Sequence, residues 1–137
     1  MNGKMRNGGT ALMLVLSCAV ALMVSSCGKP GITRRAENMV DLMAKGDFAA
    51  ATKDFDAAMR SAMPNEKLQQ LWTALSQQAG AFKGRTATRE TVEQGFKTVY
   101  VTCSFEKVNL DVKVVFDSSD KVGGLWVVRT APGAGAK

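Results

Sequence analysis

An α+β domain, with N-terminal helices packed on a curved antiparallel four-stranded sheet, follows from three features of the sequence. Apolar residues recur every three or four positions as far as Gly80 and every second position beyond it. Gly46, Pro64 and Gly80 stand where helices should stop or start. The polar turn Asp117, Ser118, Ser119, Asp120 separates the last alternating runs, as in an antiparallel meander. Helices followed by a meander pack on one sheet face.

Three helices are predicted. Ala36, Met39, Val40 and Met43 share one face of the first, with Thr33 as its cap, Glu37 close by and Gly46 at its end. Asp47 caps the second, whose apolar face is Phe48, Ala51, Phe55, Ala58, Met59 and Ala62. Pro64 stops it and opens the third, because a first helical turn tolerates a missing amide proton. That helix carries Leu68, Leu71, Trp72, Leu75 and Ala79 on one side and closes at Gly80.

Four strands follow. Phe82 to Thr88 is weakly apolar and reads as an edge. From Phe96 to Phe105, Val99, Val101, Cys103 and Phe105 face one way and Phe96, Thr98, Tyr100 and Thr102 the other. Leu110, Val112, Val114 and Phe116 alternate with Asp111, Lys113 and Val115, and Val122 to Val128 completes the sheet. Gly123 and Gly124 inside a strand pattern predict a bulge or bend.

Ahead of this domain, Lys4 and Arg6 precede an uncharged stretch from Gly8 to Val24, which ends in Val24, Ser25, Ser26 and Cys27. Charged, apolar and small residues in that order make a secretory signal, and the last four residues resemble the lipobox cut by a bacterial lipoprotein signal peptidase. A spanning helix needs about 20 consecutive apolar residues, whereas Thr10 and Ser17 interrupt this run. The expected organisation is a lipoprotein signal peptide over 1–26, a lipidated tether over 27–33, the α+β domain over 34–129 and a disordered tail over 130–137. Fatty acyl chains on Cys27 and its amino group would supply the two-chain anchor that stable attachment requires. The tether, extended, reaches about 20 Å.

Cys27 would then be occupied, Cys18 removed with the signal, and Cys103 left as a small core hydrophobe. The sequence contains no His, so Ser-His-Asp, Cys-His and His-ligated metal chemistry have no residues to run on. No metal site or cofactor is expected. The carboxylate pairs read as structural: Asp47 as a cap, Asp54 and Asp56 as a solvated helix face, Asp117 and Asp120 as turn residues. Without Lys4 and Arg6, the 18 basic residues become 16 against 12 acidic. They are scattered, Arg34 and Arg35 being the one adjacent pair, so no nucleic-acid partner is expected.

The runs "LMAKGDF", "LQQLWTALSQQAGAFKG", "VTCSFEKVNLDVKVVFD" and "KVGGLWV" resemble a bacterial domain family of unknown function, found in secreted proteins and lipoproteins and ahead of some α/β-hydrolases. Gly46, Asp47, Phe48, Leu71, Trp72, Gly80, Phe82, Phe105, Phe116, Gly124 and Leu125 carry the likeness, which runs from about Ala36 to Val128. The resemblance implies a nuclear transport factor 2-like cone and leaves function open, because such folds host enzymes and non-catalytic modules alike.

Two functions are weighed. In one, the domain is a non-catalytic envelope module that binds a small apolar ligand or an envelope protein in a pocket between helices and sheet, lined by Met39, Phe48, Leu68, Trp72, Val101, Val114 and Trp126. The bland alternative is that these side chains fill the core. In the other, a small pocket enzyme works through a carboxylate and Tyr100. Thr98, Tyr100, Thr102, Lys113 and Val115 form a mixed face that is either solvated or a homodimer interface. Gly28, standing where an aspartate would resemble an inner-membrane retention signal, favours the outer membrane, facing the periplasm, in a Gram-negative host.

Overall fold

Four helices precede four strands in the computed structural model, which describes residues 31–133. The signal segment, Cys27 and residues 134–137 lie outside the described residues. The first helix, α1 (Ile32–Lys45), is followed by α2 (Phe48–Ala51), α3 (Ala57–Ala62) and α4 (Asn65–Ala79). The strands are β1 (Phe82–Glu93), β2 (Phe96–Phe105), β3 (Asn109–Phe116) and β4 (Val122–Arg129), in one antiparallel sheet of order β1-β2-β3-β4. This is the α+β arrangement the change of period implied.

Local chemistry accounts for where the expected elements shift. The helix α1 begins before Thr33, with Gly31 at its cap position, so Ile32 and Thr33 belong to the helix and not to a tether. Ile32 is buried, and the Thr33 hydroxyl reaches across to Glu90 instead of capping. The single second helix is two, although Asp47 caps the first piece as expected, accepting from the Ala50 amide at 3.1 Å. Between the pieces the chain pairs with the sheet: the Asp56 amide donates to the Val122 carbonyl, and the Val122 amide to the Asp54 carbonyl. Asp56 then caps α3 through the Met59 amide, so it is not a solvated helix-face residue. Asp54 pairs with Arg35 at 3.1 Å.

Gly80 closes α4 with φ +86°, where a side chain is strained. A Cβ there would also lie 2.6 Å from Cβ of Glu106, because the β2–β3 turn folds over the helix end. The Glu106 and Lys107 amides donate to Ala81 and Ala79 across this approach. The first strand runs five residues beyond Thr88, to Glu93, because Arg89, Thr91 and Glu93 continue its alternation beside β2. In β4 the register slips between Val115 opposite Gly124 and Phe116 opposite Val122, so the expected bulge falls at Gly123.

One face of the sheet is covered. Val99, Val101, Cys103, Phe105, Val112, Val114, Phe116 and Leu125 pack beneath Met39, Val40, Met43, Phe55 and Leu68, all buried. Each large apolar side chain hidden this way contributes about 1.5–3 kcal/mol. Trp72 completes the layer at its margin, its ring 5.6 Å from Phe82 and 5.8 Å from Phe105. Cys103 is buried and free, and burial pushes its thiol up to about 12, so at neutral pH it is an inert thiol. The core closes between Ile32 and Leu125, and a chain starting at Gly31 carries every contact just described.

Candidate functional site

The expected pocket between helices and sheet is filled. Met39, Leu68, Val101 and Val114 are core side chains, and Phe48 and Trp72 pack half-buried against them. The space left among Leu68, Trp72, Val112 and Leu125 is about 10 Å³, room for one water at most. Trp126 never joins this group. Its register partner is Lys113, whereas Val114 pairs with Leu125, so the indole stands on the opposite face and is 53% exposed.

That opposite face has no helix over it and carries a polar network. Asp111 is fully buried in β3; its Oδ1 accepts from the hydroxyls of Thr102 (2.8 Å) and Thr130 (3.0 Å), its Oδ2 from Nη2 of Arg89 at 3.2 Å. Thr130, expected in a loose tail, is therefore tied to the sheet. The Arg89 guanidinium lies 4.0 Å from the Tyr100 ring centroid. The Tyr100 hydroxyl and Nζ of Lys113 meet one carboxylate, donating to Glu93 Oε1 at 2.5 Å and Oε2 at 2.7 Å. The hydrogen bond from Lys113, and after it that from Tyr100, lowers the Glu93 carboxyl below its ordinary value, and the same contact with Glu93 raises Lys113. Carboxylate and ammonium thus remain ionised across neutral pH.

Beside this network lies a depression of about 620 Å³, within the size range of small-molecule sites. Phe96 and Trp126 wall it, 51% and 53% exposed. Val115, Val128 and Thr98 contribute apolar floor, and Asp56, Glu93, Gln94, Lys113 and Asp117 bring polar groups. Thr98 is wholly buried, and its Oγ1 is the one buried side-chain polar atom among the described residues with no hydrogen-bond partner. An orphaned buried hydroxyl costs about 1–3 kcal/mol.

The Trp126 indole owes its position to Gly124. A Cβ at Gly124 would fall 2.3 Å from the six-membered ring, so only glycine lets the indole lie along its own strand. Stacking needs such a platform, one aromatic face seated on backbone and the other open.

Sequence reasoning grouped Thr98, Tyr100, Lys113 and Val115 on this face but missed Glu93, Phe96 and Trp126 as its functional members. The signal for Glu93 was the alternation of Arg89, Thr91 and Glu93 past Thr88. For Trp126 it was the bulge at Gly123, which leaves Leu125 opposite Val114. Among the described residues, no group of three or more His, Cys, Asp or Glu side chains is arranged to hold a metal ion, and no helix is long and apolar enough to cross a membrane.

No curated protein and no solved structure matches the chain. Residues 36–125, from the middle of α1 into β4, match the model of the family described as Protein of unknown function (DUF3887), and the chain belongs to that family.

Proposed function

We propose that this protein is a lipid-anchored envelope lipoprotein whose domain is a non-catalytic binding or accessory module, working through the open face of its sheet. The depression bounded by the exposed rings of Phe96 and Trp126, with the polar groups of Glu93, Lys113 and Asp117 at its border, carries this reading. The lipobox ending in Cys27 supports the anchor, and with it an outer-membrane position facing the periplasm in a Gram-negative host. The helix-then-meander order is compatible with a nuclear transport factor 2-like cone, used here on its outer face since the interior is filled. The occupant fitting that face is a small molecule with one apolar side and hydrogen-bonding groups, or a segment of an envelope protein, a second copy of the chain included.

One contact favours an enzyme instead: the Tyr100 hydroxyl on Glu93. Lys113 weighs against it, because a carboxylate held ionised by an ammonium is a poor proton shuttle near neutral pH.

Two measurements test the reading. Mass spectrometry of the membrane fraction should find Cys27 as the acylated first residue of the mature chain; an unmodified Cys27 removes the anchor. Native mass spectrometry of protein purified from its host should find a co-purifying ligand or partner that Trp126→Ala releases. Retention of that ligand by the variant would move binding off this face.

A further inference from the structure

A second depression, of about 530 Å³, opens where α1 begins, bounded by Arg34, Arg35, Asn38, Lys53, Ser119 and Lys121 with Asp54. We propose that it is a docking surface for anionic phospholipid headgroups, holding the domain against the membrane from which it is tethered. This rests on the lipoprotein reading above and adds to it which side of the domain faces the bilayer.

Charge is the first argument. Three separate parts of the chain bring cations to one place: Arg34 and Arg35 from α1, Lys53 from the segment after α2, and Lys121 from the β3–β4 turn. Arg35 is neutralised by Asp54 at 3.1 Å. Arg34, Lys53 and Lys121 are exposed and have no ion-pair partner among the described residues. Asp120, the acid next to Lys121 in the chain, is taken by Lys97 at 3.0 Å. Two arginines in a first helical turn with no acidic residue also oppose the helix dipole. Local conflicts of this kind are expected at functional or strained positions.

Position is the second argument. Four residues stand between Cys27 and Ile32, a reach of about 20 Å at most. An acylated Cys27 would thus hold the start of α1 beside the headgroups, within a few screening lengths of about 8 Å. Concavity is the third, since a groove lets cations from three elements converge on one phosphate. Lipid headgroups are the source the tether favours over a free phosphate.

The test uses the chain from Gly31 onward, which carries the whole core, so that binding is read without the acyl anchor. It should sediment with vesicles of phosphatidylcholine mixed with phosphatidylglycerol and not with phosphatidylcholine alone. The variant Arg34→Gln/Lys53→Gln/Lys121→Gln should lose about a hundredfold in vesicle partitioning, at roughly fivefold per charge. An equal-charge control, Lys83→Gln/Lys107→Gln/Arg129→Gln, takes exposed cations from elsewhere and should lose far less. Equal losses from the two variants would overturn the proposal in favour of a general charge effect, as would an absence of binding. Displacement by inorganic phosphate at low millimolar concentration would overturn it in favour of a free-anion site. Lys53→Gln and Lys121→Gln singly, checked by circular dichroism, repeat the comparison if the triple variant fails to fold. Failure here with an acylated Cys27 leaves the anchor standing, whereas an unmodified Cys27 removes the anchor and with it the argument from position, whatever the vesicles show.

Discussion

The two faces of the sheet bury their residues by different means. Under the helices, Val99, Val101, Val112 and Val114 are sealed by apolar neighbours. On the open side Thr98, Thr102 and Asp111 are as deeply buried, with no helix above them. There the cover is a lattice of long side chains: Arg89 over Tyr100, Lys113 beside Tyr100 and Trp126, and Glu93 bridging Tyr100 to Lys113. The covered face derives its energy from area removed from water, which is non-directional. The open face depends on hydrogen bonds and paired charge, which are directional and costly to leave unpaired. One face therefore holds the fold, while the other presents a specific surface at modest energetic gain.

That contrast is sharpest under mutation. Leu68→Ala, at a fully buried position on the covered side, should cost about 3–4 kcal/mol through lost transfer energy and a cavity. For a domain of this size the melt should fall by well over 10 °C. A shift of a few degrees would show that α4 is not packed as described.

The next effect belongs to the open face. Arg89→Ala leaves the buried Asp111 carboxylate with two hydroxyl donors and no cation. Stripping a partner from a buried pair costs up to about 3–5 kcal/mol. Arg89 is partly exposed and both hydroxyls remain, so about 2 kcal/mol is expected in urea unfolding. A neutral result would mean that water replaces the guanidinium and that the lattice is surface decoration.

A smaller effect separates stability from function. Gly124→Ala puts a methyl where the indole of Trp126 lies, and the exposed indole can swing away, so less than about 1 kcal/mol should be lost. Binding on the open face should nevertheless fall with it. Trp126 fluorescence reports the swing, and an unchanged emission spectrum would contradict the platform geometry.

The smallest effect is a pH dependence. The folded Glu93 carboxyl titrates below its ordinary value, so its contribution is complete above that value and is lost as pH falls through the lowered one. Lys113 is raised, so its contribution is complete below its ordinary value and lost as pH rises through the raised one. Melts of Glu93→Gln against the parent should therefore differ most at neutral pH and converge toward both extremes. A constant offset would show that the ion pair contributes nothing.

How much of this was legible from residues alone depended on the length of the pattern. The covered face was read correctly in β2 and β3, where unbroken alternation of Val99 to Phe105 and Leu110 to Phe116 leaves one register. The split of the second helix was not legible, because Phe55 and Asp56 fit a helical face and their pairing with Val122 is a long-range contact. Trp126 was misplaced although a bulge or bend was expected at Gly123 and Gly124, because where it falls, and so which face the indole takes, is set by the pairing with β3. The carboxylate of Asp117 was seen as a turn residue, which it is, whereas Asp56 was placed on a solvated helix face and is a cap. That both also border one depression follows only from the folded chain.

Chemical-shift mapping of the labelled protein with its co-purifying ligand tests the division between the faces most directly. Perturbations should gather on Phe96, Thr98, Lys113 and the Trp126 indole and leave the Leu68, Val101 and Val114 methyls unmoved. Shifts centred on those methyls, with Trp126 silent, would place the ligand between helices and sheet and contradict the account.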